Sequence, residues 1–295
     1  MRSFLAAVTA TMALLLTLLA VPSMWVGHSI ASQDGFLALA APLGKDPQFQ
    51  SALATAAADA AASKLEAIPS VAKVVQPVIA KATQDLTKDP GYPAAWAETL
   101  RRSHELTVVD PAANANDDGV LNLDVAPLLQ LILNDVNKST GLSLSAPNQV
   151  LLGVGTQAQR QAVVKLTAAS PLGLWFLVAA LLAFIITLLS ARRRSTTLII
   201  YGVGLAAVAG ILKLVSIAAA NNFTSSGLAG SADSAQATSI FKKSLMVAVS
   251  TSFDSWLIWV LGVGLLMLVA GVIGRILTRN GSVPSAAATR TVPAH

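Results

Sequence analysis

Four stretches of this chain are too long, too apolar and too poor in charge to belong to a water-soluble fold. They run from about Phe4 to Val26, Leu172 to Ser190, Leu198 to Ala219 and Trp256 to Ile276. A helix crosses a bilayer core of about 30 Å with about 20 apolar residues, and in hydrocarbon only a helix or a closed barrel satisfies every backbone polar group. Each stretch therefore predicts a transmembrane helix. Composition agrees: only 12% of the 295 residues are charged and mean hydropathy is +0.64, against about 25% charged in soluble domains. With no cysteine, disulfide frameworks and thiolate metal sites are excluded. The fold class expected is all-α in the membrane, with a mainly α extracytoplasmic domain that contains a short two-stranded β pair.

Direction follows from the basic residues. If both termini are cytoplasmic, the inner segments hold Arg2, Arg192, Arg193, Arg194, Arg275, Arg279 and Arg290 and no acid, while all 15 acidic residues and every lysine fall on the other side. That is a positive-inside pattern, and it accounts for the formal charge of +5 without a nucleic-acid partner. Trp25, Trp175, Trp256 and Trp259 fall at the outer boundary, where amphipathic indoles concentrate. The expected localisation is the plasma membrane, multi-pass, with the bilayer itself the first partner. Ser29-Ile30-Ala31 resembles a cleavage site but lies several residues past the apolar run, so an uncleaved anchor is expected.

These readings divide the chain into an N-terminal anchor (1–27), an extracytoplasmic helical domain (28–170), a transmembrane hairpin (171–219), an outer loop with an interfacial helix (220–255), a fourth crossing (256–279) and a disordered cytoplasmic tail (280–295). In the large domain, Asp46-Pro47 reads as an N-cap with a first-turn proline, opening an alanine-rich helix that Pro69 stops. A second helix is expected from Val71 to Leu86 with Pro77 as a kink, a third after the Pro90–Pro93 turn to about Val109, and a fourth from Val125 to Asn137 capped by Asp124. Val120–Leu123 and Val150–Val154 read as two short strands that pair. A last helix from about Thr156 is expected to run into the second crossing. Asn221–Thr238 reads as a flexible loop, and Ser239–Ser252 as an interfacial helix.

Asp46-Pro47-Gln48-Phe49-Gln50, then Trp96 with Arg101 and His104, then Gly119-Val120-Leu121-Asn122-Leu123-Asp124-Val125-Ala126-Pro127-Leu128-Leu129 occur in that order between the first crossing and the paired ones. In this the chain resembles a family of actinobacterial integral membrane proteins with four crossings and a large extracytoplasmic domain after the first. It departs at Leu100, where a polar or small residue would be expected. The resemblance spans nearly the whole chain and implies an architecture, not an activity.

Candidate sites are few. Around the third helix, His104 lies about 80° and Arg101 about 140° from Trp96 at 100° per residue. Such a strip suits an anionic or sugar-like ligand or a partner's carboxylate. The alternative is a packed tryptophan, a capping imidazole and an arginine paired in-helix with Glu98 and Glu105. Lys213 is the one ionisable residue well inside a crossing; snorkelling or a pair with Asp254 fits it better than a relay, since no second intramembrane acid or histidine continues a path. No nucleophile, Gly-x-Ser-x-Gly elbow or third group supports His104 as a catalytic base, and the other histidines, His28 and His295, make no metal set with it. Asn114-x-Asn116-x-Asp118-Gly119 opens like a calcium loop but has Val125 where the bidentate acid belongs. No cofactor, metal or enzyme activity is expected. An envelope interaction or scaffold role through the outer domain, with an envelope protein or component as partner, is the reading favoured; a ligand-binding sensor module and a transporter or channel accessory subunit are the alternatives.

The absence of cysteine makes topology directly measurable. In intact cells a membrane-impermeant maleimide should label Ser139→Cys and leave Ser285→Cys unlabelled until the membrane is opened; the reverse pattern would invert the orientation.

Overall fold

The computed structural model describes residues 2–53, 81, 85–109, 120–141, 143–191, 193–225 and 232–280. The expected alanine-rich helix beyond 53, the Val71–Leu86 helix up to residue 84, the calcium-like loop, Arg192 and the tail after 280 lie outside these residues. Four helices are long and apolar enough to cross a membrane, spanning Phe4–Ala31, Leu172–Ser190, Arg194–Thr224 and Ser239–Leu277, as in a multi-pass membrane protein. The chain divides into two compact units. One comprises the described parts of Met1–Leu18, Leu177–Ile211 and Ile258–His295; the other comprises those of Leu19–Phe176 and Leu212–Leu257.

The first unit is built from parts of α1 (Arg2–Val26), α6 (Leu172–Ser190), α7 (Arg194–Ser225) and α8 (Ala232–Asn280). Lipid tails are as apolar as leucine, so helices associate there through close packing and interhelical hydrogen bonds rather than hydrophobic burial. Both occur. Ala13, Tyr201 and Leu205 are buried together, Phe184 lies 4.4 Å from the Tyr201 ring, and the hydroxyls of Thr9 and Thr187 are 2.8 Å apart. Gly202 of α7 meets Gly264 of α8 so closely that a Cβ at Gly202 would sit 2.5 Å from the Gly264 carbonyl oxygen.

In the second unit, α1 leaves its span through a π-turn, Gly27–Ala31, and α2 (Gln33–Ala40) follows, capped by Ser32 accepting from the Gly35 amide. A 3₁₀ turn over Ala41–Lys45 leads to a helical segment over 47–53. Asp46 Oδ1 accepts the amides of Gln48 at 2.8 Å and Phe49 at 3.2 Å, the cap that the Asp-Pro pair predicts. α3 (Tyr92–His104) continues into a second π-turn, Glu105–Val109. Strands β1 (Asn122–Asp124) and β2 (Leu151–Gly153) pair antiparallel, Leu123 opposite Leu152. Between them lies α4 (Ala126–Thr140), whose Leu128, Leu129, Ile132 and Val136 form the buried face. Asp124 is buried and serves both elements: its Oδ1 accepts from the amides of Ala126 and Val150, while its own amide donates to Ser103 Oγ. The core joins Phe49, Trp96, Leu100, Leu123, the α4 face and Phe241.

Three sequence expectations need correction. α5 (Gln157–Ala169) does not run into α6, because Ser170-Pro171 forms a turn between them; Pro171 has no N–H to extend the ladder, and the Ser170 hydroxyl instead donates to the Thr167 carbonyl at 2.8 Å. The stretch Asn221–Thr238, expected to be loop, is helical over its described residues, since α7 continues to Ser225 and α8 begins at Ala232. Ser239–Ser252 is no separate interfacial helix but part of α8, an uninterrupted 49-residue helix. No proline or glycine lies between Ser239 and Trp256 to break it, and its candidate span of 39 residues, about 58 Å at 1.5 Å per residue, far exceeds a bilayer core of about 30 Å.

Gly202→Leu should destabilise the helix packing by about 1–3 kcal/mol, read as a lower unfolding midpoint in detergent. Gly210→Leu, at a position with open space around it, should leave that midpoint unchanged.

Candidate functional site

α3 divides the three predicted binding residues between the core and the surface. Trp96 is 3% and His104 2% exposed, so neither presents a face to solvent. The Trp96 ring packs against Phe49 at 5.2 Å and lies against Gly44 so tightly that no Cβ would fit there. His104 Nε2 lies 2.9 Å from the Ile30 carbonyl oxygen in the first π-turn, and its ring stacks on Phe36 at 5.2 Å. As the donor in that bond, the His104 ring satisfies a carbonyl at the turn. Arg101 alone is exposed. Its guanidinium donates to Glu98 at 2.7 and 2.8 Å and to Glu105 at 3.2 Å, and Arg102 joins Glu98 at 2.8 Å. The expected accessible strip therefore does not form: tryptophan and imidazole face the core, and the arginine is held in-helix.

Within this lattice the hydrogen bond from Arg101 holds the Glu98 carboxyl down to about 2, with Arg102 adding in the same direction and slight burial opposing. The same bond raises the Arg101 guanidinium further above its already high range.

Lys213 on α7 and Asp254 on α8 are brought together, with Nζ 2.7 and 2.6 Å from the two carboxylate oxygens. Each side chain remains about two-fifths exposed. In a medium without water, that pairing replaces the hydration both charges lose.

The second unit also holds a concave feature that sequence reasoning missed. A cavity of about 1000 Å³ opens between the chain from His28 to Gln48 and one face of α8 from Ser239 to Trp256. On α8 it is lined at positions 240, 243/244, 247/248, 251/252 and 255, the i, i+3, i+4 recurrence of a single helix stripe. From Ser239 to Trp256 that stripe extends about 25 Å at 1.5 Å per residue, so the cavity is a slot rather than a bowl.

Both ends of the slot are pinned. At one, Trp25 Nε1 donates to Ser252 Oγ at 3.1 Å, the Trp25 ring meets Phe253 edge-on at 5.2 Å, and His28 faces Trp256 at 5.9 Å. At the other, Phe49 lies 5.7 Å from Phe241, and Ser244 Oγ donates to Asp46 Oδ2 at 3.4 Å. Between the pins the walls are Ala38, Leu39 and Leu43 on one side and Val247 and Ala248 on the other. Asp46 lines the slot but is engaged as a cap, whereas Lys243 lines it, is exposed and has no ion-pair partner among the described residues. A sequence signal for the slot exists in retrospect: the small residues Ser244, Ala248, Thr251, Ser252 and Ser255 share one helical face.

No family model, curated protein or solved structure matches the chain.

Because the folded-state Glu98 carboxyl is depressed, the stability it contributes is present above the usual glutamate value of 4.5 and is lost as pH falls toward about 2. Its exposure limits the effect to under about 1 kcal/mol. The difference in unfolding free energy between wild type and Glu98→Gln should shrink across that window; a flat difference would show that the lattice contributes nothing to stability.

Proposed function

We propose that this is a plasma-membrane envelope protein, with both termini cytoplasmic, that binds a ligand through the part of its chain outside the bilayer. The observation that carries this reading is the slot between the His28–Gln48 segment and α8. Its volume of about 1000 Å³ lies at the upper end of the range for small-molecule sites, about 300–1,000 Å³. The orientation is supported by the positive-inside arginines and the boundary tryptophans, and the resemblance to four-crossing integral membrane proteins with a large extracytoplasmic domain agrees with it.

The scaffold reading fares less well. A stable protein–protein contact ordinarily takes about 800 Å² from each partner, with an apolar centre. Outside the four crossings, the large apolar side chains that stand exposed among the described residues are Val109, Leu166 and Val247, the last of which lines the slot, too few for such a centre. Trp96 and His104, the anchors expected for a partner, are buried. An accessory role in transport would rest on Lys213, whose charge is paired with Asp254. Among the described residues, no constellation of nucleophile, base and oxyanion donors supports an enzyme.

The test is purification of the full chain from native membranes in mild detergent, wild type beside Ala248→Trp, which fills the slot from the α8 wall. Mass spectrometry should find a small molecule or lipid at near-stoichiometric amount with wild type and several-fold less with the variant. A stoichiometric protein partner retained by both, with no bound small molecule, would replace this reading with the scaffold one.

A further inference from the structure

We infer that the ligand of this slot is an anionic lipid, held with its headgroup at Lys243 and one acyl chain lying along α8 toward Trp256. This rests on the reading that the slot binds a ligand, and adds the ligand's chemical class and route of entry.

Three features of the slot lead to an amphiphile. The first is shape: about 1000 Å³ drawn out over about 25 Å of helix admits an extended chain and excludes a compact solute of the same volume. The second is the order of the lining. Leu39, Leu43, Val247 and Ala248 make an apolar middle, Ser29, Thr251, Ser252 and Ser255 add small uncharged polar groups toward Trp256, and the charged side chains Lys243 and Asp46 stand at the other end with Gln48 and Ser244. The third is position. Trp256 begins the uncharged apolar run of the fourth crossing, and Trp25, beside it across Ser252 and Phe253, closes the first. The foot of the slot therefore lies at the level where indoles mark the edge of the hydrocarbon, and a chain can enter from the bilayer without crossing water.

Charge selects the headgroup. Asp46 directs one carboxylate oxygen at the amides of Gln48 and Phe49 and accepts the Ser244 hydroxyl on the other, so its charge is taken up by a helix start. The Lys243 ammonium has no such partner among the described residues. His28, at the foot, adds no negative charge. The uncompensated charge of the lining is thus positive and sits at the end away from Trp256. A chain already in hydrocarbon gains little by moving to an apolar wall, since no apolar surface leaves water. Preference must then come from the head, and the slot discriminates by charge rather than by chain.

The probe is phosphatidylglycerol carrying a photoreactive diazirine on one acyl chain, compared with the same probe built on phosphatidylcholine, each in nanodiscs of unlabelled phosphatidylcholine holding the full chain. Irradiation followed by peptide mass spectrometry should place label on the slot stripe of α8 around Val247–Ser255, several-fold more from the anionic probe. Lys243→Gln should lower slot labelling about fivefold, the value of one charge near an anionic headgroup, while labelling at lipid-facing Leu265 and Leu266 stays constant as the internal standard of a folded, inserted protein. Ala38→Trp, filling the slot from the opposite wall to Ala248→Trp, should abolish slot labelling even if Ala248→Trp fails to fold. Excess inorganic phosphate should not compete.

Equal labelling by the two probes would overturn the anionic headgroup. Competition by phosphate would overturn the chain in the slot. Slot labelling absent, with a non-lipid small molecule co-purifying, would overturn this inference and leave the ligand-binding reading standing; absence of both would overturn the two together.

Discussion

Phe49 is the joint on which the second unit depends. Its ring is 2% exposed and touches Trp96 of α3 on one side and Phe241 of α8 on the other. Aromatic pairs at these separations contribute about 0.5–1.5 kcal/mol each beyond their buried area. The stronger effect is geometric. Phe49 stands three residues after the Asp46 cap, so a backbone amide bond and a ring contact fix the start of the same helical segment. Removing either would let the His28–Gln48 chain move relative to α8, and the slot between them would have no defined width. α3 and α4 then pack outward from the same core, with Asp124 tying the small sheet to both.

The transmembrane part was legible because hydrocarbon leaves the backbone so few choices: uncharged runs of the right length must be helices. The two strands were legible as well, since Val120–Leu123 alternates and Val150–Val154 forms a short apolar run, both inside a helical domain, and they pair as expected. The Asp46 cap followed from local chemistry alone. In each case the signal lies within a few consecutive residues.

What the sequence hid was long-range. The slot is made by residues near 28–48 and near 239–256, about two hundred positions apart, and no local pattern announces that they face each other. Reading Ser239–Ser252 as a separate helix at the interface also concealed that its small residues form one continuous stripe with Thr251–Ser255. Trp96, Arg101 and His104 left two readings open, an accessible strip and a packed tryptophan with an arginine paired to Glu98 and Glu105, and the structure has the second. Their helical angles were right, but angle alone does not say which side is the core, and the buried side took the tryptophan and the imidazole. Lys213 and Asp254 were paired on charge alone, and their helices bring them within 2.6 Å.

The π-turn at Gly27–Ala31 shows how this geometry responds to chain length rather than to side chain. Its closing bond runs from the Ser32 amide to the Gly27 carbonyl at 3.1 Å, one residue wider than an α-helical rung. Deleting a single residue between them would let the same Ser32 amide meet the same Gly27 carbonyl as an ordinary α rung, so the chain after Ser32 would keep its direction. The wide turn thus absorbs one extra residue without carrying Leu39 and Leu43 off the wall that they form. A length change here is taken up inside one turn, at the turn whose Ile30 carbonyl meets the His104 ring.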